Sequence, residues 1–570
     1  MLRRERWVAA LLLGLHLALI LWGAARNSVT FDENFHLPSG VLIAAQGNYM
    51  ISPVNPPLIK ALCGAAALAA GARLPDAAAI ATGDQWQVGE SFMRVNADRY
   101  QRVFMAARVV VAMISLALGL LVWSFARRLY GRGGGLLALA FYAFMPEALA
   151  HGGVVTLDVA TALVLLGAIY AWWVCTRTGR WSAWGVAALA VGAAVLTRFL
   201  SVVLAPILVG LTLWLQLRGR LRRPARAWVG LALLPLTTLV MLAAAYRGQV
   251  SLRPLSEFSF VSHTFKGLQR QAPALRLPMP DAMIDGLDWQ SNEGQAGQTP
   301  TYLLGRIRTG PVWEYFPLAL LFKWPLGFLL ALAVRAVAAG RGVRRRHEVF
   351  LAAPAALLLG IAVFVIQLNI GIRYLFPLVP LACLWLGGLA RGVRLPLPTG
   401  AARTWWWVGV TLAGLQAAEA TAAAPWHLSF FNVAAGGPGG GYRLVNDSNV
   451  DWGQGLIALR EELARRGIKR VHLAYHGTTD PTIYGIDSVP YLGGDPGPES
   501  DWIAISSYYC VGQWQRMTTS QGRTRSIRID FSGLWRREPD AVVAGCIYLY
   551  RLRVSAPANA NPSPFGRARR

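Results

Sequence analysis

The chain carries little charge for its length, and acidic residues are especially scarce. Charged residues make up 15% of its 570 residues, and only 29 are Asp or Glu. A typical soluble protein carries about 25% charged residues. Hydrophobic residues make up 55% of the chain, and the mean hydropathy is +0.40. This composition argues against an ordinary soluble globular protein and favours a polytopic membrane protein.

Several motifs with well-known chemistry are also absent. The sequence contains no HExxH zinc motif, no Walker A phosphate loop, no nucleophile elbow and no internal repeat of fixed period. Its five cysteines form no CxxC pair of the kind that binds metal. Cys510 and Cys546 both fall late in the chain. They could form a disulfide if that part is extracytoplasmic, or remain free; the sequence leaves both alternatives open.

Basic residues are abundant by contrast, and the net charge is +26. In a soluble protein such a charge would suggest nucleic-acid binding. Much of it, however, lies in short segments between apolar runs: LRRER, RRLYGR, RTGR, LRGRLRRPARA, RGVRRRHE and RGVR. Short Arg-rich loops at helix ends mark the cytoplasmic side of a membrane protein. We therefore expect membrane lipids rather than nucleic acid as partners.

Apolar runs long enough to cross a bilayer recur along most of the chain. A span takes about 20 apolar residues, and about eleven candidates are present. They cover residues 7–25, 102–124, 134–150, 157–175, 181–197, 200–217, 228–246, 314–338, 349–367, 373–390 and 404–424. The first run lacks a convincing cleavage site, so we interpret it as a retained anchor. Alternation from a cytoplasmic N-terminus places every basic segment inside.

The same alternation predicts the domain organisation. A transmembrane domain, residues 1–424, would include an external loop with surface helices at 26–101 and a second, mostly irregular one at 247–311. Residues 425–555 would form an extracytoplasmic α/β domain, because LIALREELARRG has helical periodicity and KRVHLAYHG, DWIAISSYY and AGCIYLYRLRV are typical of strands. The Pro- and Ala-rich segment 556–570 is predicted to be disordered.

Three carboxylates are predicted to share the outer surface. Asp32 and Glu33 lie in TFDENFHLPSG, directly behind the first apolar run, and Asp158 begins the apolar stretch DVATALVLL. Carboxylates at a membrane edge are costly unless they are solvated or used. Asp158 could also be a favourable charge at a helix N-terminus, with Thr156 as the cap. A carboxylate here could act as a general base or help to hold a divalent cation.

Cationic and imidazole side chains are expected on the same side. Arg198 in LTRFLS and Arg373 in NIGIRYLFPLVP could bind a phosphate, although helix-end arginines often only extend toward the interface. Lys323 in FKWPLG is less well placed for this. His36 and His151 could orient a carboxylate or bind a metal ion, although a lone histidine more often only forms hydrogen bonds.

Together these motifs resemble the GT-C class of lipid-carrier-dependent glycosyltransferases. Within it, the chain is similar to the bacterial branch of the protein O-mannosyltransferase-like family, related to the aminoarabinose transferases of lipid A. The matching motifs, spread over most of the chain, are FDENFHLPSG, NPPL, HGGVVTLDVATA, YLLGRI, WEYFPLALLFKWPLG, RYLFPLVPL and FFNVAAGGPGGGYRLVNDSNVDWGQGL.

The resemblance implies a mainly α-helical polytopic fold with a cavity that faces the outer leaflet of the bacterial inner membrane. It implies a polyprenyl-phosphate-linked sugar donor, a protein, lipid or glycan acceptor, and inversion of the sugar's anomeric centre. Asp32 would be the general base with Glu33 beside it, and Asp158 would match the second acidic position. Arg198 and Arg373 would contact the donor phosphate. Metal use differs among the relatives, so a divalent metal held by these carboxylates remains an open alternative.

Other interpretations stay open at this stage. A secondary transporter would place ionisable residues near the bilayer midplane, often with an internal repeat. A non-catalytic scaffold would leave the charged residues without a purpose, and an oligosaccharide transferase or polysaccharide ligase would keep the fold but change the reaction. The window DSNVDWGQGL suits sugar binding, but turn and helix capping are favoured, with Asp451 starting a helix at about Gly453.

Overall fold

The computed structural model describes residues 2–295, 300–339, 345–390, 401–494, 496–518 and 524–552. The predicted disordered segment 556–570 lies outside these residues. The helices are α1 (Leu2–Arg26), α2 (Glu33–Gln46), α3 (Leu58–Ala69), α4 (Ala77–Ala81), α5 (Gln85–Val95), α6 (Tyr100–Ala143), α7 (Pro146–His151), α8 (Asp158–Thr178), α9 (Trp181–Val195), α10 (Leu204–Leu217), α11 (Pro224–Ala245), α12 (His263–Gln271), α13 (Asp281–Gln295), α14 (Tyr315–Lys323), α15 (Leu326–Ala339), α16 (Arg345–Phe364), α17 (Leu378–Leu386), α18 (Ala401–Ala422), α19 (Leu456–Arg465) and α20 (Ser507–Cys510). The strands are β1 (Thr301–Leu303), β2 (Arg306–Arg308), β3 (Arg470–Ala474), β4 (Asp487–Pro490), β5 (Trp502–Ser506), β6 (Gln513–Thr518), β7 (Thr524–Ile529), β8 (Ala541–Val543) and β9 (Ile547–Arg551).

The chain is mainly α-helical with several apolar spans, as predicted. Within the described residues, six helices are long and apolar enough to cross a membrane: α1, α6, α8, α10 with the turn before it, α11 and α16. The axis bends by 112° between α14 and α15, which form either a seventh, broken span or a re-entrant loop. Three shorter apolar segments lie at Leu58–Ala69, Trp181–Val195 and Leu378–Ala390. The count of about eleven spans therefore stays a prediction.

Two of the predicted spans meet in one helical element. Residues 102–124 and most of 134–150 fall within α6, which is interrupted at Gly131 by a non-helical backbone with φ of 89°. Glycine adopts this conformation without steric cost. On either side of the break, Arg127 and Arg132 approach Glu5, at 2.8 and 3.5 Å. The interruption therefore lies at the membrane end where α1 begins, which we call the Glu5 end.

A small sheet region follows the helices. Its five strands are ordered β4-β3-β5-β9-β8, with β3 parallel to both β4 and β5 and the other pairs antiparallel. The three predicted strands correspond to β3, β5 and β9, and the predicted helix corresponds to α19. The domain limits of 425 and 555 stay predictions. Cys510 and Cys546 are both buried and are not joined by a disulfide, so the alternative without a disulfide is the one observed.

The two predicted external loops are more ordered than their composition indicates. In the first, α2 crosses α3 so closely that a Cβ on Gly64 would lie 2.1 Å from the carbonyl carbon of Gly40. Most of α2 is buried, and the placement of helices of this loop along the membrane surface stays a prediction. The second loop, predicted to be mostly irregular, contains α12, α13 and the β1–β2 hairpin. Asp288 stabilises it by accepting hydrogen bonds from the amides of Val261 and Ser262, a distant pairing that local sequence does not reveal.

Candidate functional site

Four of the predicted site residues meet at the membrane end opposite Glu5. Asp32 directly precedes α2, and Asp158 is the first residue of α8. Arg198 follows α9 in an extended conformation. Arg373 lies in a short 3₁₀ turn after α16. The site is therefore assembled from helix ends, where side chains can reach both the membrane core and its surface.

These residues form two ion pairs. Arg373 Nη1 donates to Asp32 Oδ2 at 2.6 Å, and Arg198 Nη1 donates to Asp158 Oδ1 at 2.5 Å. Both guanidinium groups lie over the ring of Tyr374, at 5.2 and 5.3 Å from its centroid. Acidic and basic groups thus alternate around one aromatic ring, an arrangement in which each charge is partly neutralised by its neighbours.

Asp32 is the more accessible of the two paired aspartates. Its side chain is 14% exposed, whereas that of Asp158 is 2% exposed. Burial raises the pKa of Asp32; the Arg373 guanidinium opposes the rise, and the Asp158 carboxylate adds to it. A carboxylate with a raised pKa is a stronger base once it is deprotonated, which suits proton abstraction near neutral pH.

Glu33 has a different environment from its neighbour Asp32. Arg108 donates to both of its oxygens, from Nε to Oε1 at 2.8 Å and from Nη2 to Oε2 at 2.6 Å. The amides of Val155 and Thr30 donate to the same two oxygens, at 2.8 and 2.9 Å. Arg108 also donates to three carbonyls at the end of α1, those of Ala24, Asn27 and Ser28. Glu33 therefore acts as a structural anchor beside Asp32.

The two predicted histidines lie close to these charges. His151 Nδ1 is 4.0 Å from Asp158 Oδ2, and burial lowers the pKa of His151 to about 4. Within the described structure, His36 Nδ1 has no hydrogen-bond partner. Burial lowers the pKa of His36 well below its usual value, and the nearby Lys60 ammonium lowers it further. Both imidazoles are therefore neutral near pH 7.

The candidate metal ligands do not form a metal centre. Asp32 and Asp158 each accept from an arginine, and Glu33 is occupied by Arg108. Among the residues that the structure describes, no group of three or more His, Cys, Asp or Glu side chains is placed to hold a metal ion. The geometry therefore does not fit a resident divalent metal, and we assign no chemical step to one.

Lys323 is buried and forms no hydrogen bond to the residues of the two ion pairs in the described structure. Its Nζ donates to the carbonyls of Leu428 and Asn449, at 3.0 and 2.6 Å. The Asn449 side chain in turn accepts from the amide of Ile372, at 3.0 Å. Lys323 thereby supports the turn that carries Arg373.

The window DSNVDWGQGL lies inside the site. Arg373 Cζ is 4.2 Å from the ring centroid of Trp452, and the amide of Phe31 donates to the Trp452 carbonyl at 2.8 Å. The prediction that Asp451 starts a helix at about Gly453 is wrong, because α19 begins at Leu456. Asp451 instead accepts from the Gly453 amide at 2.9 Å and closes a turn.

The sheet region also contacts the residue before Asp32. The His476 ring stacks on Tyr508, with centroids 3.7 Å apart and planes 7° apart, and on Phe31 at 5.7 Å and 19°. Burial lowers the pKa of His476 to about 3, so this ring is neutral. Trp86 from α5 meets Phe31 edge-on at 5.1 Å. Aromatic contacts from two directions thus fix the start of the acidic loop.

Three important groups were missed from the sequence. Arg108 and Lys60 could have been found as single charges within apolar stretches. Lys60 Nζ donates to the Ser52 carbonyl at 2.6 Å, and burial lowers its pKa to about 7. His476 offered no comparable signal, because its partner Phe31 lies far away in the sequence.

One family model matches part of the chain. Residues 100–243 match the family model "Dolichyl-phosphate-mannose-protein mannosyltransferase". This segment contains Arg108, Asp158 and Arg198. Over these residues the match supports the resemblance, noted in the sequence, to GT-C class lipid-carrier-dependent glycosyltransferases. No curated protein matches the chain significantly.

Two solved structures match the chain at low sequence identity. One is ArnT from Cupriavidus metallidurans bound to undecaprenyl phosphate, which is 15% identical with a TM-score of 0.44; the match covers 74% of this chain and 72% of that one. The other is the oligosaccharyltransferase AglB from Archaeoglobus fulgidus, in complex with an inhibitory peptide and a dolichol-phosphate. It is 12% identical with a TM-score of 0.44, and the match covers 92% of this chain and 74% of that one.

Proposed function

We propose that this chain moves a sugar from a polyprenyl-phosphate donor to an acceptor nucleophile at the outer face of a bacterial inner membrane. The observation that carries the proposal is the accessible Asp32 carboxylate, which is paired with Arg373 at a membrane end. A lipid-phosphate donor has its apolar tail in the bilayer and its anionic head at this level. The family match of residues 100–243 supports the same reaction class.

The two arginines suit the phosphate of such a donor. Arg373 uses Nη1 for Asp32, and within the described residues its buried Nε has no hydrogen-bond partner. A phosphate oxygen could therefore bind Arg373 without complete loss of the Asp32 contact. Arg198 would bind a second oxygen, with Asp158 orienting it. Both cations would stabilise the negative charge that develops on the departing phosphate.

Asp32 would serve as the general base. The acceptor oxygen or nitrogen attacks the anomeric carbon from the face opposite the phosphate, and its proton passes to the Asp32 carboxylate. The new bond joins acceptor and sugar. The bond between the anomeric carbon and the phosphate oxygen breaks, and its electron pair leaves with the polyprenyl phosphate. Direct displacement inverts the anomeric centre.

The other candidates would act indirectly. Glu33 would fix the acidic loop through Arg108, and Lys323 would support the Arg373 turn through Asn449. The neutral His151 would limit the mobility of Asp158. We further propose a cytoplasmic N-terminus and an extracytoplasmic sheet region within residues 425–555, in accordance with the distribution of the basic segments.

The test uses the purified full chain in lipid nanodiscs, with a panel of radiolabelled polyprenyl-phosphate pentoses and hexoses and a crude envelope fraction as the acceptor. We expect the radiolabelled sugar of one donor to pass to the acceptor, with release of polyprenyl phosphate. The variant Arg373→Ala should abolish this transfer. Arg222→Gln, at the Glu5 end, is the matched control and should transfer normally. Absence of donor binding and consumption across the panel, together with solute flux in proteoliposomes, would instead support a transporter.

A further inference from the structure

A second charged site lies at the other end of α8. The crevice is lined by Arg180, Trp181, Trp184, Arg223 and Arg226, which we call the arginine crevice. Since α8 has 21 residues, its ends are about 30 Å apart at 1.5 Å per residue. The arginine crevice is therefore a full membrane thickness away from Asp158.

Two of the three arginine side chains, those of Arg223 and Arg226, make local contacts. Arg226 Nη1 donates to the carbonyl of Gly179 at 3.1 Å, and its Cζ lies 5.9 Å from the ring centroid of Trp181. Arg223 packs directly on Gly179, where an added Cβ would lie 2.9 Å from the Cγ of Arg223. The φ of Gly179 is also positive, at 62°. Glycine thus permits the close approach of the two segments that carry the arginines.

The charge of the crevice has no acidic counterpart. Within the described part of the chain, none of its three arginines forms an ion pair, and the sequence contains no Asp or Glu between Asp158 and Glu257. The N-termini of α9 and α11 begin beside Arg180 and Arg223 and add partial positive charge. The chain around this group thus supplies no counter-ion, and an anion from outside the chain would neutralise it.

The surroundings favour a lipid as the source of that anion. The helices that line the crevice are apolar spans or lie beside them, and Trp181 is 44% exposed. Tryptophan is enriched at the level of the lipid headgroups, and basic pockets between membrane helices bind anionic headgroups. We propose that the arginine crevice binds the phosphate headgroup of an anionic phospholipid in the leaflet opposite the Asp32 site.

The test measures lipid binding to the delipidated full chain by native mass spectrometry. Phosphatidylglycerol and phosphatidylcholine with identical acyl chains are compared. We expect at least ten-fold tighter binding of phosphatidylglycerol to the wild type, and loss of that preference in the variant Arg180→Gln/Arg223→Gln/Arg226→Gln. The control Arg218→Gln/Arg220→Gln/Arg222→Gln removes the same charge from the neighbouring loop and should keep the preference. Size-exclusion chromatography and thermal unfolding establish that both variants are folded.

Two further measurements separate binding of a lipid headgroup from binding of a soluble anion. Brominated phosphatidylglycerol should quench Trp181 fluorescence, measured as the difference from Trp181→Phe, more strongly than brominated phosphatidylcholine does. Inorganic phosphate at 10 mM should leave the lipid bound; full displacement would identify a soluble anion as the ligand and overturn the proposal. If both triple variants lost the preference for phosphatidylglycerol equally, the attraction would be diffuse and the proposed site would be refuted. Absence of this preference in the wild type would also refute the proposal.

Discussion

The two ends of α8 differ in whether their charged side chains form ion pairs. At the Asp158 end, each carboxylate of the site is paired with its own arginine: Asp32 with Arg373, Glu33 with Arg108, and Asp158 with Arg198. At the Gly179 end, the arginines of the crevice have no acidic partner in the described structure. A paired site holds its charges in fixed positions before any ligand arrives, as electrostatic catalysis requires. An unpaired site keeps its net positive charge available for an anionic ligand.

The largest effect is expected from breaking the most deeply buried pair. Glu33→Gln leaves the Arg108 guanidinium buried without its counter-ion, which typically costs about 3–5 kcal/mol of stability. Thermal and denaturant unfolding in detergent would measure the loss. The pair Arg26–Glu461 is a matched control, because its side chains are 39% and 41% exposed. Glu461→Gln should cost less than about 1 kcal/mol; equal losses would show that burial of the Glu33 pair is unimportant.

The next largest effect concerns phosphate recognition. Arg373→Lys keeps the positive charge but loses the planar fork of donors that can bind Asp32 and a phosphate together. Loss of one charge-assisted hydrogen bond of about 1.5–3 kcal/mol corresponds to a roughly 10- to 100-fold weaker interaction. We expect the KM for the donor to rise by about that factor, measured by initial rates. An unchanged KM would remove Arg373 from the donor site.

The sequence predicted the charged residues at the Asp158 end better than it predicted the contacts that hold them in place. Asp32, Asp158 and Arg373 interrupt or border apolar runs, and alternation of the spans placed them on one side. The pairing of Glu33 with Arg108 joins residues 75 positions apart. No local pattern encodes such a contact, because it depends on how the start of α2 packs against α6.

The sheet region was the second feature that sequence reasoning underestimated. Its strands were predicted from β-branched and aromatic residues, because local propensity was sufficient there. Its contribution to the site was not predicted, since Trp452 and His476 reach Arg373 and Phe31 only through the tertiary fold. The span count also stayed open, because short and interrupted helices do not follow a fixed length.

A smaller effect is expected from the aromatic contact that joins the sheet region to the acidic loop. His476→Ala removes the stack on Phe31, and aromatic pairs contribute about 0.5–1.5 kcal/mol. We expect kcat to fall about 2- to 10-fold with little change in the donor KM, and His476→Phe to restore it. Tyr491→Ala removes a comparable stack on Phe531, at 5.3 Å, elsewhere in the region. A similar kcat loss in this control would indicate general destabilisation.

The smallest effect is a shift in pH dependence. As the proposed general base, Asp32 would act only when it is deprotonated, so activity should fall as the pH drops through its pKa. The negative charge of Asp158 raises the pKa of Asp32. In Asp158→Asn that contribution is lost and Arg198 is left to attract the Asp32 carboxylate, so the acidic limb of kcat should move to lower pH. A shift to higher pH would contradict this electrostatic relation, and Asp98→Asn should leave the profile unchanged.

The most direct test of the account is single-turnover transfer by Asp32→Asn, with donor binding measured on the same folded preparation. The account predicts that the variant binds the polyprenyl-phosphate sugar within a few-fold of the wild type but transfers it at least about 100-fold more slowly, the lower range for loss of a general base. Transfer at the wild-type rate with normal donor binding would contradict the assignment of Asp32 as the base.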